Sequence, residues 1–198
     1  DYRINFGMVK YLAALDCLDN IIKGADFTVA KYAMPTVAVV IDKDGAESAG
    51  TGALIAYKDK FMILTNRHVL DPGEGCVLKG VLLGGDSNKE LHTNNTQHLA
   101  ATDDLAVLEV DPGQIPKGLP IFRLSFGLSI LEKVVSLGYP SIPRTNKYFL
   151  TAHSGELNST ITTRDNEELY LISSFAAPGS SGGPILDFRG LVSAVVSQ

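Results

Sequence analysis

Residues 178–184 read Pro178-Gly179-Ser180-Ser181-Gly182-Gly183-Pro184, and the partners this stretch demands decide the fold of the rest. A serine hydroxyl is a weak nucleophile until a base takes its proton and nearby donors hold the oxyanion that forms. A glycine two places before Ser181 lets the backbone bend so that the amides of Gly179 and Ser181 face one point. The glycines behind the serine are expected to leave room for a substrate backbone. A Gly/Ser segment that merely turns the chain has the same composition, so the motif must be judged by what accompanies it.

Residues 179–183 also match G-x-S-x-G, the strand-to-helix elbow of α/β-hydrolases. In that fold the histidine follows the serine, whereas the last histidine here, His153, precedes Ser181. Strand–helix alternation is missing too, so the elbow is rejected. A base must come from His68, His92, His98 or His153. A lone histidine is more often a surface or core imidazole than a catalyst. His68, however, lies in Leu64-Thr65-Asn66-Arg67-His68-Val69, at the end of an apolar run and entering a loop, where it would face a cleft. His92 and His98 sit among Asn94, Asn95 and Gln97 and read as solvated loop residues; His153 has no supporting motif. An acid is then needed to fix the imidazole tautomer. Asp103 and Asp104 precede Leu105-Ala106-Val107-Leu108, and Asp104, abutting the apolar run, is the better placed to be partly buried.

The remainder of the chain is read for organisation. Its 198 residues are 45% hydrophobic and 20% charged, with a net charge of −5. That balance and the lack of a basic cluster argue against nucleic acid or an anionic membrane as partner. No apolar run approaches the roughly 18 residues a membrane span needs. Cys17 and Cys76 have no metal or redox spacing and read as two unrelated buried thiols. So few cysteines point to a reducing, cytoplasmic compartment. The sequons at Asn94 and Asn158 are of a kind that arises by chance. Beginning at Asp1 without a methionine, the chain reads as a piece of a longer protein.

Met8, Leu12, Leu15, Leu18 and Ile22 are spaced three or four apart, predicting an amphipathic helix that Asn5 caps and Gly24 ends. After Gly24 the pattern is that of short strands. They fall at 36–41, 53–57, 61–65, 76–83 and 105–110, then at 121–124, 133–137, 148–152, 168–173, 185–186 and 191–197. Turns such as Asp42-Lys43-Asp44-Gly45 and Asp187-Phe188-Arg189-Gly190 separate them. Many short strands in two successive sets predict an all-β protein of two barrels. The division is a helical extension at 1–26, a first β-barrel at 27–118 and a second at 119–198.

The blocks around His68, Asp104 and Ser181, in that order, resemble the three signature blocks of chymotrypsin-like serine proteases. The wording around the histidine is most similar to the disulfide-free bacterial high-temperature-requirement branch. The resemblance spans roughly residues 36–197. It implies two six-stranded antiparallel β-barrels with the site between them, the second barrel incomplete at its C-terminal end. It further implies His68 and Asp104 from the first barrel, Ser181 from the second, and an oxyanion hole from the amides of Gly179 and Ser181. Ser197 matches a family serine that hydrogen-bonds the acid. The implied activity is peptide-bond hydrolysis on a protein or peptide substrate without cofactor or metal, with further domains or a regulatory partner outside these residues.

The chain departs from the family in several places. Val69 replaces the cysteine of secreted members, and Ser180 stands where trypsin-type zymogens carry an aspartate. Phe175, Ala176 and Ala177 bring no carboxylate to the expected substrate pocket, so a small or apolar P1 residue is expected rather than Lys or Arg. Two other readings stay open: a protease-fold module kept for protein binding, and an esterase using the same machinery.

Overall fold

The computed structural model describes residues 17–71, 73–98, 104–125, 127–145, 147–164 and 166–197. Asn5, Met8, Leu12, Leu15 and Asp103 lie outside the described residues, as do the first turns of the expected helix.

The helix α1 spans Leu18–Tyr32, with Gly24 at φ 79° and ψ −166° as a kink inside it. Gly24 ends the first helical stretch, as expected, but a second helical stretch follows directly. Thr28, Val29 and Tyr32 repeat the three-to-four spacing after the kink, and Thr28 and Tyr32 are buried. The Thr28 hydroxyl donates to the Gly24 carbonyl at 3.2 Å, which supplies a partner where the kink interrupts the helical ladder.

Strands follow as β1 (Thr36–Lys43), β2 (Ala46–Tyr57), β3 (Lys60–Thr65), β4 (Cys76–Leu83), β5 (Glu90–Leu91), β6 (Thr93–His98) and β7 (Ala106–Val110), with a short helix α2 (Arg67–Leu70) after β3. They form one antiparallel sheet in the order β5-β4-β1-β2-β3-β7-β6. A second sheet, in the order β10-β9-β8-β11-β12, contains β8 (Lys133–Gly138), β9 (Thr151–Thr162), β10 (Glu168–Ile172), β11 (Pro184–Leu186) and β12 (Val192–Val195). Each sheet curls into a half-barrel, giving the expected all-β double-barrel architecture.

Three details differ from the expectation. The described strands divide seven and five rather than six and six. The polar stretch around His98 is strand β6 rather than loop: it pairs with β7 at the sheet edge, where one side of a strand faces water and no apolar alternation is required. Residues 121–124 form isolated bridges, Phe122 to Ile55 and Leu124 to Val192, instead of a strand. Here the chain crosses between the sheets, and a single contact to each is all the crossing allows. Neither cysteine forms a disulfide among the described residues; Cys17 is buried, but Cys76 is only half-buried.

Period-two alternation assigns alternate residues of the central strands to opposite faces. Leu54, Ile63 and Leu108 point into the first half-barrel with Val37, Val39 and Val81. Their neighbours Ala53, Ile55, Leu64 and Val107 point the other way and meet Leu137, Leu186 and Val192 of the second sheet. Both faces are therefore apolar, because both are covered. Phe122, fully buried, sits in this seam and stacks on Tyr32 at 4.6 Å between ring centroids, tying α1 to the joint between the sheets. The β11–β12 turn is fixed by a buried carboxylate. Asp187 Oδ1 accepts from the Arg189 and Leu191 amides, and Oδ2 takes the Arg189 guanidinium. Asn20 of α1 donates to the Arg189 carbonyl at 2.8 Å.

Truncating Phe122 removes the ring that all three elements share. Phe122→Ala is expected to destabilise the fold by about 3–5 kcal/mol, read as a lower denaturant midpoint with an unchanged slope.

Candidate active site

His68 lies on α2, one turn beyond the last residue of β3, and Asp104 lies just before β7, the neighbour of β3 in the sheet. Strand pairing thus brings together two residues far apart in sequence. Asp104 is held from both sides. Its carbonyl accepts from the Asn66 side-chain amide at 2.9 Å and the Arg67 amide at 3.2 Å. Its Oδ1 accepts from the His68 amide at 3.0 Å. Its Oδ2 meets His68 Nδ1 at 2.6 Å and accepts from the Ser197 hydroxyl at 3.2 Å. An ionised carboxylate only accepts, so Nδ1 carries the ring proton and Nε2 is left as the acceptor. Burial acts to raise the Asp104 carboxyl pKa, but the His68 amide, the His68 ring and the Ser197 hydroxyl outweigh it and hold it below the ordinary aspartate value.

Ser181 comes from the loop before β11 and is 7% exposed. It packs beside the His68 segment: a Cβ on Gly182 would lie 2.2 Å from Thr65 Oγ1 and 3.1 Å from the Asn66 nitrogen. Among the described residues no hydrogen bond joins the His68 ring to Ser181. The structure therefore brings together His68, Asp104 and Ser197 by direct bonds, and sets Ser181 alongside them without one.

The backbone of the serine loop leaves a specific pair of donors unused. Four successive carbonyls are all occupied. Pro178 accepts from the Ser141 amide at 2.8 Å, Gly179 from Thr51 Oγ1 at 2.7 Å, Ser180 from the Gly183 amide at 2.9 Å and Ser181 from the Thr51 amide at 2.8 Å. The amides of Ser180 and Gly182 donate to Ala177 and Val196. Those of Gly179 and Ser181 have no protein acceptor among the described residues. In a trans peptide the N–H points opposite to the C=O. The bonds on Pro178 and Ser180 therefore aim the Gly179 and Ser181 amides away from those partners, as a pair of free donors.

The glycines after Ser181 have a packing role the sequence did not suggest: a Cβ on Gly182 would also lie 2.1 Å from the Thr51 carbonyl oxygen, and one on Gly183 2.2 Å from that of Leu137. The protein's own backbone fills the space, which lets the loop wedge between the sheets.

Sequence reasoning missed Thr51, Ser141 and the role of Asn66. Thr51 carried a legible signal, since it stands in Gly50-Thr51-Gly52 inside a strand, and a glycine in a strand marks close approach of another backbone. Indeed a Cβ on Gly50 would lie 2.4 Å from the Val69 side chain and one on Gly52 2.6 Å from Ile63. Of the expected pocket residues, Ser197 is placed on Asp104. Phe175 is 64% exposed and sets its ring edge-on to His153 at 5.3 Å, and Ala176 is half-buried beside it. A cavity of about 520 Å3 opens elsewhere, between α1 and the β8–β9 hairpin, lined by Asn20, Thr28, Val134, Gly155 and Phe188.

The double half-barrel with a histidine–carboxylate pair beside a glycine-flanked serine defines a serine-protease fold. A family model described as a trypsin-like peptidase domain matches residues 50–195, and the chain belongs to that family. Among curated proteins nothing matches the sequence. Solved structures do share the fold. The Rv3671c protease of M. tuberculosis in its active form is 24% identical, with 85% of this chain and 72% of that one covered at a TM-score of 0.64. A serine endoprotease of Yersinia pestis is 23% identical, covering 86% and 56% at 0.61. The HtrA-type protease AlgW, solved with a tripeptide, is 19% identical, covering 85% and 52% at 0.62. This chain thus spans little more than half of the last two.

The lowered Asp104 pKa has a consequence with a definite sign. A carboxylate whose folded value lies below its unfolded one stabilises the fold above the ordinary value of 3.8, and that contribution fades as pH falls through the folded value. Asp104→Asn is expected to flatten this acid limb of the stability–pH curve, measured by denaturation between about pH 2 and pH 6.

Proposed function

We propose that the chain is a serine endopeptidase acting through an acyl-enzyme. The observation that carries this reading is the pair of Gly179 and Ser181 amides, unused among the described residues, in a serine loop that packs against the Thr65–Asn66 segment leading to a tautomer-fixed histidine. Ser181 Oγ attacks the scissile carbonyl carbon and its proton passes to His68 Nε2. The carbonyl oxygen, now negative, lies against the two free amides. Asp104 stabilises the imidazolium that results. His68 then returns the proton to the departing amine, and water, deprotonated by the same ring, releases the acyl group and restores Ser181. The bond from His68 to Ser181 that this sequence needs is absent at rest, and catalytic hydrogen bonds commonly tighten only with substrate bound. With no carboxylate among residues 175–177, the substrate is a protein or peptide with a small or apolar P1 residue.

That same absent bond favours a second reading, a module of this fold that binds proteins without turnover. A fluorophosphonate probe discriminates between the two. The wild-type chain is expected to be labelled, with labelling abolished in Ser181→Ala and peptide turnover lowered by about 10⁴ to 10⁶. A wild-type chain that stays unlabelled supports the module, and turnover of esters but no peptides supports an esterase. In a peptide-library digest the cleavage sites should be poor in Lys and Arg at P1; enrichment of either overturns the pocket assignment.

A further inference from the structure

Thr51 of β2 reaches across the seam and touches the serine loop twice. Its amide donates to the Ser181 carbonyl at 2.8 Å and its Oγ1 bonds the Gly179 carbonyl at 2.7 Å. The direction of the hydroxyl proton is determined by a third contact: Oγ1 accepts from the Tyr139 amide at 2.9 Å. Its single proton is therefore free for the Gly179 carbonyl, which offers no donor of its own. The Thr51 carbonyl in turn accepts from Thr65 Oγ1 at 2.6 Å, three residues before His68. Thr51 is fully buried, and its bonds to Thr65 and Tyr139 are buried while that to Gly179 is partly so.

From this geometry we infer that Thr51 is a positioning residue of the oxyanion hole: its hydroxyl anchors the Gly179–Ser180 peptide, which lies between the two peptides that carry the Gly179 and Ser181 amides, and so completes the setting of their direction by the Ser141 and Gly183 bonds. The inference rests on the proposed peptidase reading. Gly179 has φ 97°, a region glycine enters and leaves at little cost. The residue whose amide matters most is thus the one least restrained by its own sterics. Without the Thr51 proton the half-buried Gly179 carbonyl would lose its protein partner, and the peptide, held then by the Ser180 amide on Ala177 alone, would be free to turn towards another. A turn about Gly179 moves the amides on both sides of it. Thr51 touches neither substrate nor proton in transit, so its removal alters transition-state stabilisation while leaving ground-state binding in place.

The test uses the full chain with Thr51→Val, which keeps shape and loses the hydroxyl, and Thr51→Ser, which keeps the hydroxyl. Turnover is measured on a peptide ester and on its thionoester, whose C=S group gains little from an oxyanion hole. Loss of one oxyanion donor costs about 10²–10³ in kcat. Misaiming is expected to cost less, a fall of about tenfold to a hundredfold for Thr51→Val, with KM within about twofold. The preference for ester over thionoester should shrink by a similar factor, and Thr51→Ser should stay within about threefold of wild type. An unchanged kcat in Thr51→Val overturns the inference, as does a kcat loss with the ester preference intact, or a Thr51→Ser as impaired as Thr51→Val. Should Thr51→Val not fold, Thr51→Cys, with a weaker donor of serine's shape, is read by the same criteria. A wild-type chain inert to ester and probe overturns the proposed function and this inference together; an active wild type with an indifferent Thr51 overturns this inference alone.

Discussion

A chain segment wedged between two sheets must find a partner for every backbone group it carries inward, because a buried polar group without one is costly. The loop at 177–183 meets that constraint almost completely. Its carbonyls are taken by Thr51, Ser141 and Gly183, and its amides by Ala177 and Val196. Among the described residues, the amides of Gly179 and Ser181 are the two that remain without a protein acceptor. On the proposed reading, this pair of unused donors is what gives the site a place to hold negative charge. Much of the surrounding architecture serves to create it: the close approach of β2, the glycines that permit it and the crossing at Phe122.

The same constraint explains the glycine distribution around the site. Gly50, Gly52, Gly182 and Gly183 each stand where a Cβ would strike a neighbouring side chain or backbone. Read along the sequence, the first pair looks like weakness in a strand and the second like flexibility near a nucleophile. In three dimensions they are the facing surfaces of one joint, the β2 ribbon passing under α2 and the serine loop passing over β2.

Much of this was legible in the amino-acid order. The strands at β3, β4, β7 and β8 announce themselves by apolar runs between turn residues, and the three blocks around His68, Asp104 and Ser181 announce a site by their order. Ser197 on Asp104 also followed from its block. What escaped notice escaped for physical reasons. Strand β6 is polar because it lies at an edge, so periodicity has nothing to report. The second half of α1 hid behind Gly24, which reads as a stop but here kinks the helix, with the Thr28 hydroxyl on its carbonyl. Thr51 is a small polar residue inside a strand, and its importance comes from contacts with residues 128 positions away. No local pattern encodes such a partner, although the glycines on either side of it mark that something comes near.

Asp187 and Arg189 show how far the support extends from the site. Their ion pair closes the β11–β12 turn, and Asn20 links that turn to α1. The helix, the hairpin behind the serine and the Tyr32–Phe122 stack therefore form one continuous brace.

The Thr51 bridge joins groups from both halves of the molecule. A folding intermediate with only its first half-barrel formed would own a paired imidazole and carboxylate but nothing for them to activate. One with only the second would own a serine loop without the Thr51 bonds to its Gly179 and Ser181 carbonyls. On the proposed reading, catalytic competence therefore comes into existence last, with the docking of the two halves.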